Sequence, residues 1–298
     1  MEGNRRDDDV GQVLGPNGEE WWTLDTAAVA VGDVQIFSSG AVQNGVGVYW
    51  MFYSGADFAP LTVPAGMPGM PAGATLEGLN TRPGLAMSQD GRNWARIEAD
   101  HHTHALFDVG APGEWDALFV AAPQVVAAGP KDMRMFYHSF DAAAQRFTVG
   151  LATSQDGFRW EKRGPVFAGG DAGAFDACGA AARCVVRDFD TRKWLMWYEA
   201  YDAEGRSSIG LAVSDDGVKG WRRHSEPVLS AADGDAWDSS AVGSPCAVSM
   251  AEGRWRLYYG GRRAGDGGAW SGIGVALSAS GATFEGVPVS FERRAFEP

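Results

Sequence analysis

Cysteine is nearly absent: Cys178, Cys184 and Cys246 are the only three in 298 residues. So small and odd a number builds no disulfide framework, and no pair has zinc-finger spacing. The three read as buried free thiols, with a Cys178–Cys184 bridge as the open alternative. Positive charge is also scarce. Lys and Arg number 25 against 38 Asp and Glu, for a formal charge of -13. A surface this acidic repels phosphate backbones and anionic lipid, which argues against nucleic-acid and membrane-surface roles. Long apolar runs are missing as well. None approaches the ~20 residues of a membrane span, and the opening "MEGNRRDDDV" lacks the apolar centre of a secretory signal. The expectation is a soluble chain with no nucleic-acid or membrane partner, its compartment left open. Long helix-like stretches are the last absence, so the 45% hydrophobic content must fold through short elements.

What is present is a repeat. An aromatic-Asp pair leads into an apolar run at "EWDALFVAAPQVV" (Glu114), "AFDACGAAARCVV" (Ala174) and "AWDSSAVGSPCAV" (Ala236), with a weaker form, "WWTLDTAAVAVGDVQIF", from Trp21. An aromatic strand follows: "YWMFYSG" from Tyr49, "MRMFYHS" from Met133, "KWLMWYEA" from Lys193, "RWRLYYGG" from Arg254. The third landmark is "GLAMSQDG", "GLATSQDG", "GLAVSDDG" and a worn "GVALSAS". Its glycines, Gly84, Gly150, Gly210 and Gly274, fall 66, 60 and 64 residues apart. Each unit reads as three strands, a DG turn and a short fourth strand, with Gly, Asp and Asn at the joints. A four-stranded unit that cannot bury both faces alone, repeated, predicts an all-β propeller.

One domain, 1–298, is expected, with units at about 11–104, 105–164, 165–226 and 227–290. The DG aspartates Asp90, Asp156 and Asp216 recur once per blade and read as structural. Asp25, Asp116, Asp176 and Asp238 recur likewise and read as turn caps at the mouth of each inner strand. Asp176, Asp238 and the aromatic Trp115 are kept as candidate ligand contacts, because they fall near the end where a pocket would open. The insertion Ala56–Asn80, rich in Pro, Gly and Met, looks too irregular for a strand. It reads as a lid, a partner-binding loop or a tolerated surface insertion.

The aromatic-Asp pair, the proline-ended inner strand, "MWY" or "YYG", and "GLAxSxDGxxW", in that order, resemble the arabinanase/levansucrase/invertase-like propeller glycosidases. The fourth unit also looks like the related mannoside phosphorylases. The resemblance runs from about Asp25 to Phe284. It implies five blades, although four are legible, and a sugar pocket on the central axis. It also implies a carbohydrate partner and no cofactor. Glycoside hydrolysis needs two carboxyl groups flanking the scissile bond. Alternation along the inner strands puts one residue of each unit beside a proline column, and Asp33 is the one carboxylate on that face. Gly32 or Val34 fills the column in the first unit, and both leave Asp33 facing inward.

Asp33 matches the family's base or nucleophile. The family's second-unit Asp falls at Gln124, and its third-unit Glu has only Ala181, Ala182 and Arg183 nearby. Two of the three carboxylates that the resemblance implies are thus replaced at their expected positions. Glu199, where the other units have Ser54, His138 and Gly260, is the substitute acid. Gln124, His138 and Arg183 are candidate substrate contacts. A phosphorylase would draw on Arg183, Arg262 and Arg263. The "HHTH" cluster, His101, His102 and His104, lies between units and reads as a solvated linker, so no metal is expected. The function expected is a glycoside-hydrolase-like protein; the alternative is a non-catalytic propeller that binds carbohydrate, or a protein partner at loop 56–80.

Overall fold

Alternating aromatic and aliphatic segments separated by Gly and Asp turns pair antiparallel and leave little room for helix. In the computed structural model, which describes residues 11–37, 47–263, 265 and 270–294, all regular structure is strand apart from one 3-10 turn at Ala251–Gly253. The leader expectation falls on Met1–Val10, outside the described residues. No helix among the described residues is long and apolar enough to cross a membrane.

Four sheets of four strands form the blades. Blade 1 is β1 (Ala28–Phe37), β2 (Val48–Ala56), β5 (Thr81–Ser88) and β6 (Ala95–Arg96). A small ladder, β3 (Leu61–Thr62) with β4 (Thr75–Leu76), sits inside the insertion between β2 and β5. Blade 2 is β7 (Ala121–Gly129), β8 (Asp132–Asp141), β9 (Arg146–Ser154) and β10 (Glu161–Phe167). Blade 3 is β11 (Ala180–Arg187), β12 (Trp194–Tyr201), β13 (Ser207–Ser214) and β14 (Arg222–Arg223). Blade 4 is β15 (Ala241–Ser249), β16 (Trp255–Arg262), β17 (Gly272–Ser278) and β20 (Phe291–Arg293). The hairpin β18 (Thr283–Phe284)–β19 (Val287–Pro288) intervenes before β20.

Among the described residues four blades are formed, not the expected five. The terminal remnants that would have paired to make a fifth are used otherwise. Residues 11–27 contain no strand. They lie along blade 1, where Leu14 and Leu24 pack with Met51, Tyr53 and Ala86, and the Gly15 carbonyl accepts from the Arg96 guanidinium. The tail is consumed as the outer strand of blade 4.

Apolar cores join blade 1 to 2, blade 2 to 3 and blade 3 to 4. Among the described residues no such core joins blade 4 to blade 1. The consequence is visible in the strands. β12, buried on both faces, is a near-continuous apolar run, whereas β16 alternates strictly between buried and partly exposed. Val31, Val34 and Ile36 pair with Tyr53, Met51 and Tyr49 on the face of blade 1 turned from blade 2, and all three aliphatics are exposed. Val248 and Ile273, on blade 4, are exposed as well.

Inside each blade one buried knot repeats. The Tyr53 hydroxyl donates to Asp25 at 3.2 Å, Tyr137 to Asp116 at 3.0 Å, Tyr198 to Asp176 at 2.8 Å and Tyr259 to Asp238 at 2.9 Å. A cation from the outer edge closes each knot: Arg96, Lys162, Arg223 and Arg293, at 2.7, 2.9, 3.3 and 2.7 Å. The landmark glycines explain themselves here. A Cβ on Gly210 would stand 2.4 Å from the Tyr198 ring, so only glycine lets the tyrosine lie across the strand to its aspartate. The DG turns are structural, as expected. Asp156 Oδ1 accepts the Phe158 and Arg159 N–H groups, which holds its carboxyl below the usual range. Trp160 and Trp221 pack into the cores between blades 1 and 2 and between blades 2 and 3.

The insertion is more ordered than its composition suggests. Leu61, Met67 and Leu79 pack on Phe119, Phe140 and Phe147, so the segment straps blade 1 across blade 2.

Replacing Asp116 by Ala strands the Tyr137 hydroxyl and the Lys162 ammonium. A loss of about 3–5 kcal/mol is expected from breaking a buried pair by one partner, read as a lower urea midpoint. Asp156→Ala, which only loosens an exposed turn, is expected to lose less; an equal loss would contradict the ranking.

Candidate functional site

Every inner strand breaks its pairing at the same place, between Val31 and Asp33, Ala121 and Gln124, Ala180 and Arg183, and Gly243 and Cys246. These bulges turn the strand starts around the axis. Ala122 and Ser244 take positive φ, 49° and 48°, inside two of them. The register settles the column in the first unit. Asp33 lies opposite Phe52 as Gln124 lies opposite Phe136, Cys184 opposite Trp197 and Cys246 opposite Tyr258. Gly32 therefore fills the proline position, where a Cβ would come 2.3 Å from the Pro123 carbonyl oxygen.

Three members of this column do one job: each accepts a backbone N–H from the next blade. Val125 N donates to Asp33 Oδ2 at 2.9 Å, Val185 N to Gln124 Oε1 at 2.8 Å, and Ala247 N to Cys184 Sγ at 3.3 Å. Gln124 also donates to the Val185 carbonyl at 3.0 Å, so both ends of its amide are occupied by blade 3. Gln35 Nε2 donates to Asp33 Oδ2 at 2.9 Å. Burial nonetheless pushes the Asp33 carboxyl above its ordinary value, against the pull of these donors.

The column at the end of the second strands works in the same way. Ala122 N donates to Ser54 Oγ and Ser244 N to Glu199 Oε2, each at 2.9 Å. Tyr201 donates a short 2.5 Å bond to Glu199 Oε1. Both Glu199 oxygens are thus engaged, and burial raises its pKa. Gly243 is the space this carboxylate occupies, since a Cβ there would meet Glu199 Cδ at 2.4 Å. Trp270 covers Gly260 and stacks beneath the Arg262 guanidinium at 4.9 Å.

Between these columns sits an under-paired cation. Arg183 is 7% exposed, its Nε has no partner among the described residues, and its Nη1 lies 3.5 Å from His138 Nδ1. Burial pulls Arg183 down to about 9, with Asp33 pulling the other way. Burial and the Arg183 charge together hold His138 well below its usual pKa, so it is a neutral imidazole. Of the predicted residues, the structure brings Arg183 together with His138 and within electrostatic reach of Asp33, while Glu199 is engaged separately by Tyr201 and Ser244.

The other candidates go elsewhere. Asp176 and Asp238 are 0% and 1% exposed and tied into the tyrosine knots, so neither offers a carboxylate to a ligand. Trp115 stacks on Tyr137, ring centroids 5.5 Å apart, as a packing group. The three thiols are free, but only Cys184 is buried. The neighbour it contacts is Cys246 rather than Cys178, and this hydrogen bond draws the exposed Cys246 thiol down to about 7. His101 is held by Thr103 at 2.8 Å and Asp108 at 3.4 Å. Arg263 donates to the Asp235 carbonyl at 3.1 Å. Sequence reasoning missed Ser54 as a partner of the bulge, and Tyr201 and Trp270 as the surroundings of Glu199. Tyr201, two residues after Glu199 and so on the same strand face, was the available signal.

No family model matches the chain. Two Mycobacterium tuberculosis proteins, Uncharacterized protein MT1551 and Uncharacterized protein Rv1502, are each 30% identical over 199 residues, 65% of this chain and 60% of theirs. The match thus spans three-fifths of those relatives' length. Among solved structures, one is of the GH130 mannoside phosphorylase family, which contains glycoside hydrolases that target β-1,2 mannosidic linkages in Candida mannan. It superposes with TM-score 0.63 at 20% identity, covering 97% of this chain and 78% of that one. A glycosyl hydrolase from Bacteroides ovatus gives 0.64 at 18%, covering 99% and 80%. The fold is that of the glycoside-hydrolase propellers. The family 117 glycoside hydrolase Zg3597 of Zobellia galactanivorans shares it too, with TM-score 0.61, 14% identity and coverage of 90% and 69%.

The raised pKa of Glu199 has a testable sign. Folding resists ionisation of this group, so the parent loses stability as pH rises through the folded value. Glu199→Gln keeps an acceptor for Ser244 and carries no such cost. The stability difference between variant and parent is expected to move in favour of Gln from pH 4 to pH 8 in urea titrations. A difference moving the other way would show that the ionised carboxylate is what the site stabilises.

Proposed function

We propose that this chain is a glycoside-hydrolase-like protein that takes a glycan at the axial bulges of its inner strands, the four blades acting as one unit. The observation that carries the reading is the buried Arg183 guanidinium, with an unpartnered Nε, 3.5 Å from His138 Nδ1 and within electrostatic reach of the Asp33 carboxyl. The shared fold with glycoside-hydrolase propellers supports it. Glu199, whose pKa burial raises, is suited to donate to the leaving oxygen, and Asp33 to activate water or attack the sugar. Arg183 supplies N–H donors to a hydroxyl or ring oxygen of the substrate.

Binding without turnover is the second reading. Asp33 Oδ2 and both Glu199 oxygens already accept hydrogen bonds, two of the four donors being backbone groups of the next blade and two being side chains of neighbours on the same strand. Gln124 and Cys184 hold their neighbours in the same manner with no carboxyl at all.

Sugar release from aryl glycosides and natural oligosaccharides, with and without phosphate, separates the two. Turnover that Asp33→Asn lowers by about 100- to 10,000-fold, in a variant that keeps its melting temperature, is the expected result. Turnover unaffected by Asp33→Asn removes this residue from the chemistry. Glycan binding by calorimetry with no release supports the second reading.

A further inference from the structure

Large aromatic side chains left in water usually have a partner, and three of them meet at one corner of blade 1. Trp21 is 85% exposed, Trp22 42% and Phe58 60%. The two indoles stand edge to face, centroids 6.1 Å apart and planes at 87°. With Thr26, Asp57 and His102 they line a cavity of about 400 Å³, within the range of small-ligand sites. None of these aromatics belongs to the blade cores, so their exposure is not explained by folding.

The location matters as much as the composition. Trp21 and Trp22 precede β1, and Phe58 follows β2; the ends of those strands pair as Ala28 with Ala56. The axial bulge at Val31 to Asp33 lies a few residues along the same β1. The cavity therefore opens at the end of blade 1 that carries the axial cluster.

Its chemistry is that of a sugar site. A pyranose presents an apolar C–H face and a rim of hydroxyls. The indoles and the phenyl ring offer flat apolar surface, and the rim offers a carboxylate, a hydroxyl and an imidazole. Asp57 is fixed for this by the Ala59 N–H at 2.9 Å and by Arg82 at 3.2 Å. An anionic ligand is disfavoured by Asp57 and by the net charge of -13. We infer that the Trp21–Trp22–Phe58 corner is a second glycan-binding site, taking a pyranose ring of a neutral polysaccharide outside the axial cluster. The ligand class rests on the proposed function together with the aromatic faces and polar rim of this cavity.

The test is affinity electrophoresis of the full chain in native gels containing a soluble mannan, a xylan or a dextran. Trp21→Ala, Phe58→Ala and Asp33→Asn run beside the parent, with melting curves for all four. At least one gel is expected to retard the parent and Asp33→Asn alike, while Trp21→Ala and Phe58→Ala lose roughly tenfold in apparent affinity, the scale of one aromatic contact. Both aromatic positions are exposed, so the variants should melt with the parent.

Retardation lost in Asp33→Asn but kept in Trp21→Ala assigns binding to the axis and overturns the inference while leaving the proposed function standing. A parent that no gel retards overturns it as well. Sedimentation gives the last arm: a parent dimer that Trp21→Ala converts to monomer makes the corner a contact between copies, and the glycan assignment falls.

Discussion

A carboxylate buried once per blade holds this architecture together. Asp25, Asp116, Asp176 and Asp238 are almost wholly withdrawn from solvent. Each receives a tyrosine hydroxyl from the second strand and a cation from the outer edge. The connection entering a blade is thereby tied to its middle and its rim at one point. A charge so placed is tolerable only when fully paired, and that requirement accounts for several features together. The tyrosine must cross the third strand, so that strand carries glycine where the ring passes. The last blade must find its cation beyond the hairpin, and it does so with Arg293 on β20.

Cohesion between blades comes from a different device. Inner-strand bulges expose backbone N–H groups, and side chains of the preceding blade satisfy them: Ser54 and Asp33 from blade 1, Gln124 from blade 2, Cys184 and Glu199 from blade 3. An unpaired buried N–H is costly, so these positions demand an acceptor, and an acid, an amide or a thiol can each provide one. Asp33 and Glu199 are therefore structural acceptors first. Any chemistry they perform must be compatible with holding the next blade. Arg183 differs, because its Nε serves no such purpose among the described residues.

The blade plan was legible from residue types. Aromatic strands, the GLA glycine and the DG turn recur with their spacing intact, and the structure gives each the role its chemistry implies. The site was legible only in part. The face of Asp33 followed from period-two alternation, and Glu199 from its break with a repeat column. Occupancy did not follow, because Gln124 and Asp33 are engaged by Val185 and Val125, residues 61 and 92 positions away. Asp176 and Asp238 read as turn caps near a mouth. They proved to be buried anchors, since the tyrosines they meet lie on another strand. The insertion's Pro, Gly and Met gave no hint that Leu61 and Met67 would pack over Phe140 and Phe147.

By itself the sequence determined the local unit: antiparallel strands from alternation, turns from Gly and Asp, and a repeat that must stack because one blade cannot cover its own faces. The tertiary structure alone decided how many units are completed and which faces remain open. Among the described residues four blades form, with residues 11–27 lying along blade 1 and Phe291–Arg293 supplying the rim of blade 4. Val31, Val34, Ile36 and Ile273 stay exposed because no apolar core joins those two blades among the described residues. Burial and pairing depend on which surfaces meet, and that is a property of the whole chain rather than of any repeat within it.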